Sequence, residues 1–114
     1  MSKYHSRKVR TSDGVEHDSR KEALRWEYLK RMEGLGTIKD LRRQVKYILI
    51  PSQKEVVDGK AKTIEQAVAY VADFVYTDWN GKVVVEDVKG YRTREYTIKR
   101  KLMLYIHKIK ITEV

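Results

Sequence analysis

The chain has 114 residues, with 25 Lys or Arg against 16 Asp or Glu, a formal charge of +9 and no cysteine. Its length and 41% hydrophobic content fit one small domain with one core and exclude two domains, and the lack of cysteine excludes disulfides, thiol nucleophiles and thiolate zinc sites. So large a basic excess points to a polyanion, most often nucleic acid, although a ribosomal or membrane-surface protein would carry the same total.

No apolar run approaches the roughly 20 residues that span a bilayer, and the charged start has no apolar stretch behind it. The expectation is therefore a cytoplasmic protein that neither spans a membrane nor is secreted.

Residues 1–12 carry Lys3, Arg7, Lys8 and Arg10 and read as a flexible basic arm able to reach phosphates, ahead of a single domain over 13–114. Ser19 followed by Glu22 matches a capping box, which predicts a helix over 19–33 stopped by Gly34-Leu-Gly36. Glu22, Trp26 and Leu29 fall on one helical face. Over 38–50, Val45, Tyr47 and Leu49 alternate with Lys46, Ile48 and Ile50, which predicts a strand ended by Pro51. Residues 52–62, with Asp58-Gly59, suit a surface loop or a hairpin tip. The stretch 63–77 mixes helix formers with a two-residue alternation, and its second half, 70–76, is read as strand. An Asn80-Gly81 turn then leads into a second hairpin arm over 82–89. A helix over 93–106 is expected to bury Ile98, Leu102 and Tyr105, and a last strand covers 108–114. The order helix, strand, strand, strand, helix, strand describes an α/β protein, with helices on one mixed sheet.

The hairpin concentrates the chemistry. Val71, Asp73 and Val75 share one strand face, as do Val83, Val85, Asp87 and Lys89. If the two faces coincide, two carboxylates and an ammonium converge, with Asp87 and Lys89 about 6 to 7 Å apart along the strand. Asp73 and Asp87 are the pair of oxygen ligands that Mg²⁺ takes beside water and phosphate, and Lys89 suits orientation of the water or neutralisation of phosphoryl charge. Glu22 could complete this site, although the capping box is itself a sufficient reason for it. An Asp-x-Lys pair also arises by chance as solvated charges worth at most about 1 kcal/mol. Against that, Asp87 follows three valines and Asp73 lies in an apolar run, where an unpaired carboxylate is costly. Glu86 points to the other face and reads as a surface or supporting acid.

Residues 72–90 have a net charge of −2 and residues 91–110 a net of +6, with Arg92, Arg94, Lys99 and Arg100 among the latter. An acidic centre inside basic flanks suits a metal-dependent nuclease better than a mere binder, although the 91–110 charges also fit a solvated helix face. His5, His17 and His107 have no ligand spacing and receive no role, His107 being placed at a helix end. Thr93 suits a helix cap. Tyr91, Tyr96 and Tyr105 are read as core ahead of base stacking. Trp79, in a turn, is free to meet a partner.

The stretches Ser19-Arg-Lys-Glu-Ala23, Tyr70-Val-Ala-Asp-Phe74 and Val85-Glu-Asp-Val-Lys-Gly90, in this order of elements, resemble the PD-(D/E)xK nuclease superfamily, and most closely its small phage-encoded members akin to archaeal-type Holliday junction resolvases. The resemblance covers about residues 19–114. It implies a restriction-endonuclease-like core and a Mg²⁺- or Mn²⁺-dependent DNA endonuclease. In it Glu22, Asp73 and Asp87 are metal-site acids and Lys89 is the catalytic lysine. Ala72 stands where the superfamily's name implies proline. Paired nicking of a four-way junction needs two active centres, hence a homodimer on branched DNA. The alternatives are a nickase, flap or restriction-like nuclease of the same superfamily, and a non-catalytic nucleic-acid-binding protein.

Overall fold

The capping box forms as expected: in the computed structural model, which describes residues 7–88 and 92–114, the Ser19 hydroxyl accepts the Glu22 N–H at 3.1 Å and opens α1 (Arg20–Gly34). Gly36, at φ +79°, lets the chain turn away after the helix. Glu22, Ala23, Trp26 and Leu29 are its buried residues, so the expected face is the one that packs.

Ahead of α1, β1 (Val9–Arg10) pairs antiparallel with β2 (Glu16–His17). The arm expected over 1–12 is therefore occupied from Val9 by a small hairpin, whose Thr11 to Gly14 turn is closed by the Gly14 N–H on Thr11 O at 2.9 Å. Lys3 lies outside the described residues.

Four strands form the main sheet: β3 (Lys39–Ile50), β6 (Val68–Thr77), β7 (Val83–Asp87) and β8 (Thr112–Glu113), in the order β3-β6-β7-β8. β8 runs parallel to β7, joined to it through α2 (Arg94–His107), while the other neighbours are antiparallel, so the fold is a mixed α+β arrangement. Between β3 and β6 the chain makes a separate hairpin, β4 (Gln53–Val57) and β5 (Lys60–Glu65), with every residue exposed. Asp58 and Gly59 both have positive φ, +51° and +76°, as a two-residue hairpin turn requires. The expected single sheet is thus one sheet and two small ribbons.

The helices pack on opposite sides of the sheet. Trp26, Leu29, Ile38, Phe74 and Tyr76 form the core under α1, while Leu49, Tyr70, Ala72, Val75, Val85, Tyr96, Met103 and Ile111 form the core under α2. Along β6 these memberships break the two-residue alternation: Ala72 faces α2 but Phe74 faces α1. The same break occurs on β3, where Val45 and Tyr47 pack with the α2 core and Leu41 with the α1 core. Gln44 lies at that point with φ +54°, a left-handed residue inside a strand, which re-aims the side chains beyond it. Val71 and Val75 therefore do not share a face, contrary to simple alternation, and Asp73 sits at the switch.

α2 differs from expectation in its buried row. Tyr96 and Met103 are buried, whereas Ile98 is 58% and Tyr105 77% exposed. The helix has apolar residues at i, i+7 on two adjacent rows, and the row that meets Val75 and Val85 wins the core. Its start is as read: Thr93 accepts the Tyr96 N–H at 3.0 Å. The last strand is only two residues long, because Lys108 caps α2 in the left-handed conformation and pairing with β7 reaches only Thr112 and Glu113.

Candidate active site

Asp73 and Asp87 reach one rung of the sheet through a register that the hairpin turn sets. Asp78 Oδ1 accepts the N–H groups of Asn80 and Lys82, both at 2.9 Å, and Gly81 supplies φ +81°. The strands leave this turn paired as Thr77↔Val83, Tyr76↔Val84, Val75↔Val85 and Phe74↔Glu86. The next rung joins Asp73 to Asp87. There the main-chain ladder gives way to a side chain: the Val88 N–H donates to Asp73 Oδ2 at 2.7 Å. Asp87 is buried and accepts the Tyr70 hydroxyl at 2.5 Å, and burial followed by that carboxylate pushes the Tyr70 pKa far upward. Tyr70 therefore stays a donor, and it orients Asp87. Lys89 and Tyr91 lie outside the described residues, so the Asp-x-Lys face is described only as far as Asp87.

Glu22 enters from α1. Gln44 falls between the pairs Arg43↔Phe74 and Val45↔Ala72, on the rung that contains Asp73, and its amide Nε2 stands 3.5 Å from Glu22 Oε1. Glu22, Gln44, Asp73 and Asp87 thus follow one line across α1, β3, β6 and β7. Glu22 is buried, and desolvation, then the charge of Asp18, raises its pKa, opposed by His17 and Arg43. A raised folded pKa means that the acid form favours the fold, a contribution present below the ordinary glutamate range and lost as pH rises through the folded value. Glu22→Gln is accordingly expected to gain stability over the natural chain at pH 7 in EDTA but not at pH 4. Urea midpoints at the two pH values check this, and a pH-independent difference would contradict it.

Among the described residues no three His, Cys, Asp or Glu gather closely enough to hold a metal ion, so the three acids expected from the sequence do not form a cage. The Asp73 and Asp87 rung fits the other common arrangement, in which a hard cation takes one or two carboxylates and completes its shell with water and substrate oxygens.

Other expected residues are dispersed as follows. Arg92 and Arg100 lie 2.5 and 3.7 Å from Glu113, Lys99 lies 3.1 Å from Glu95, and Lys8 and Arg10 each lie 3.7 Å from Glu16. These are surface pairs of the weak kind, and Arg92 and Arg94 line an open groove at the start of α2 with Thr93, Thr97 and Ile98. Arg7 is exposed. Trp79 is 78% exposed, as its turn position predicted. His107 Nε2 contacts Ile48 O at 2.7 Å at the end of α2. Tyr96 is core, but Tyr105 is not.

Sequence reasoning missed three residues. Glu86 is not a surface acid: it is 0% exposed, held by Arg25 Nε at 2.8 Å and Nη2 at 2.6 Å, and by the Tyr76 hydroxyl. That bond is the main reason the Arg25 pKa is raised. Arg25 lies three residues after Glu22 on α1, and nothing in its spacing announces a partner 61 positions away. His17 is buried beside Glu22, and Tyr70, read as a strand residue, holds Asp87. Asp13 anchors the first hairpin to α1, accepting the Trp26 indole N–H at 2.7 Å. The Thr11 hydroxyl, then that indole, lower its pKa to about 2.

Among the described residues no helix is long and apolar enough to cross a membrane. No curated protein and no solved structure matches the chain. The model of one family, described as "Protein of unknown function (DUF1064)", matches residues 1–113, and the chain belongs to that family.

Proposed function

We propose that the protein is a metal-dependent DNA endonuclease of the PD-(D/E)xK type, a structure-selective one that resolves four-way junctions as a homodimer in the manner of phage resolvases. The observation that supports this best is the β6–β7 register, which puts Asp73 and Asp87 on one rung where the ladder opens. Asp73 and Asp87 would hold Mg²⁺ or Mn²⁺, with Glu22 on the α1 side of the same line. A bound divalent cation supplies polarisation of the scissile phosphate and a more acidic water. The chain's own groups do the rest. Asp73 is steadied by the Val88 N–H and Asp87 by Tyr70, so neither carboxylate must reorganise when substrate arrives. Lys89, two residues beyond Asp87, is the group assigned to the attacking water or to charge growing on the phosphoryl oxygens. Lys3, Arg7, Lys8 and Arg10 at one end, and Arg92, Arg94, Lys99 and Arg100 at the other, would neutralise phosphates. The reaction takes place in the cytoplasm.

Four-way junctions, flaps, nicked duplex and plain duplex, incubated with Mg²⁺ and with products mapped, test the substrate. Symmetric cuts in opposing strands of the junction are expected. Preferential cutting of flaps or plain duplex would replace the resolvase assignment by another nuclease of the same type.

A further inference from the structure

His17 is the one buried imidazole in the described part of the chain, and it belongs to no part of the chemistry above. It is 1% exposed, its ring lies 5.8 Å from that of Trp26, and its Nδ1 is 3.6 Å from Glu22 Oε1. Two other donors approach the same oxygen, Gln44 Nε2 at 3.5 Å and Arg43 Nη2 at 4.0 Å. Meanwhile His17 Nδ1 and Arg43 Nε are buried with no hydrogen-bond partner. Buried polar atoms without partners are rare and call for a reason. Here both belong to residues that ring one carboxylate, within a few tenths of an ångström of bonding it.

On its other side His17 is held by the amino-terminal hairpin. The Thr11 hydroxyl has a single proton, directed to Asp13 or to Val15 O, so its oxygen is an acceptor for His17 Nε2, 3.5 Å away. With Nε2–H turned to Thr11, Nδ1 and Glu22 Oε1 are left to share one proton between them.

We propose that His17 is a positioning residue for Glu22, fixing Oε1 against the β1–β2 hairpin so that Oε2 is presented for a cation or its water. The inference rests on the metal-nuclease reading. It also makes the hairpin that carries Lys8 and Arg10 the mount of a metal-site acid. Partners of this supporting kind are worth about 10- to 100-fold in metal affinity.

Three variants of the full chain test it: His17→Asn keeps a donor near the place of Nδ1, His17→Gln keeps one only near Nε2, and His17→Ala keeps neither. Mn²⁺ binding is read by electron paramagnetic resonance, with thermal melts and DNA binding in EDTA in parallel. His17→Ala and His17→Gln are expected to bind Mn²⁺ about tenfold more weakly or worse. His17→Asn should stay within about threefold of the natural chain, with DNA affinity in EDTA unchanged in all three. A merely structural His17 would not sort Asn from Gln. Equal Mn²⁺ affinities for the Asn and Gln variants would overturn this inference alone, whereas absence of Mn²⁺ binding by the natural chain would overturn the metal reading and the inference with it.

Discussion

Arg25→Ala is expected to destabilise the protein by about 3–5 kcal/mol, the largest effect of any single substitution outside the acidic rung. Glu86 is fully buried between β6, β7 and α1, and Arg25 supplies two of its three hydrogen bonds. Without the guanidinium, an ionised carboxylate is left in the core with one tyrosine hydroxyl, a penalty that exceeds the packing lost. Arg25→Lys retains the charge but not the two-pronged geometry and is expected to fall between the two. The double variant Arg25→Met, Glu86→Met removes both charges and should recover most of the loss, because a buried pair contributes less than its broken half costs. Urea unfolding measures all three. A loss below about 1 kcal/mol in Arg25→Ala would show that Glu86 finds another partner or water.

Asp87→Asn is expected to reduce Mg²⁺-dependent cleavage by more than about 100-fold while leaving the fold intact. Supporting partners of a metal ligand are worth 10- to 100-fold, so a ligand itself is worth more. Asparagine keeps the shape and still offers an oxygen to the Tyr70 hydroxyl, so the core around Tyr70, Val85 and Tyr96 should survive. DNA binding in EDTA should be unchanged or stronger, because one negative charge facing phosphates has gone. Gel-shift and single-turnover cleavage assays on the same preparation separate the two effects. Normal cleavage by Asp87→Asn would remove Asp87 from the site.

Much of this was legible in the sequence where local rules govern. The Ser19 cap, the Trp26 and Leu29 face, the Asp78 to Gly81 turn and the strand alternation of Val45, Tyr47 and Leu49 each follow from neighbours within four residues. The turn then carries long-range information, because a fixed hairpin tip forces Asp73 opposite Asp87. What the sequence concealed depends on non-local competition. Two apolar rows on α2 are equally good by period, and only the surface of β6 and β7 selects Tyr96 and Met103 over Ile98 and Tyr105. The left-handed Gln44 breaks an alternation that looked regular, and with it the shared face of Val71 and Val75. Glu86 read as an outward acid because it alternates with Asp87, yet the sheet is covered on both sides, so its face is occupied by Arg25.

The central claim is that Asp73 and Asp87 serve a cation that cuts DNA, and the most direct measurement is conversion of supercoiled plasmid by the purified chain in Mg²⁺ and in EDTA, with Asp87→Asn alongside. The account predicts nicked or linear product with Mg²⁺, none in EDTA, and none with the variant under either condition. Intact plasmid in Mg²⁺ at protein concentrations that retard the same DNA in a gel would contradict it, and would make the protein a binder whose carboxylates serve only the fold.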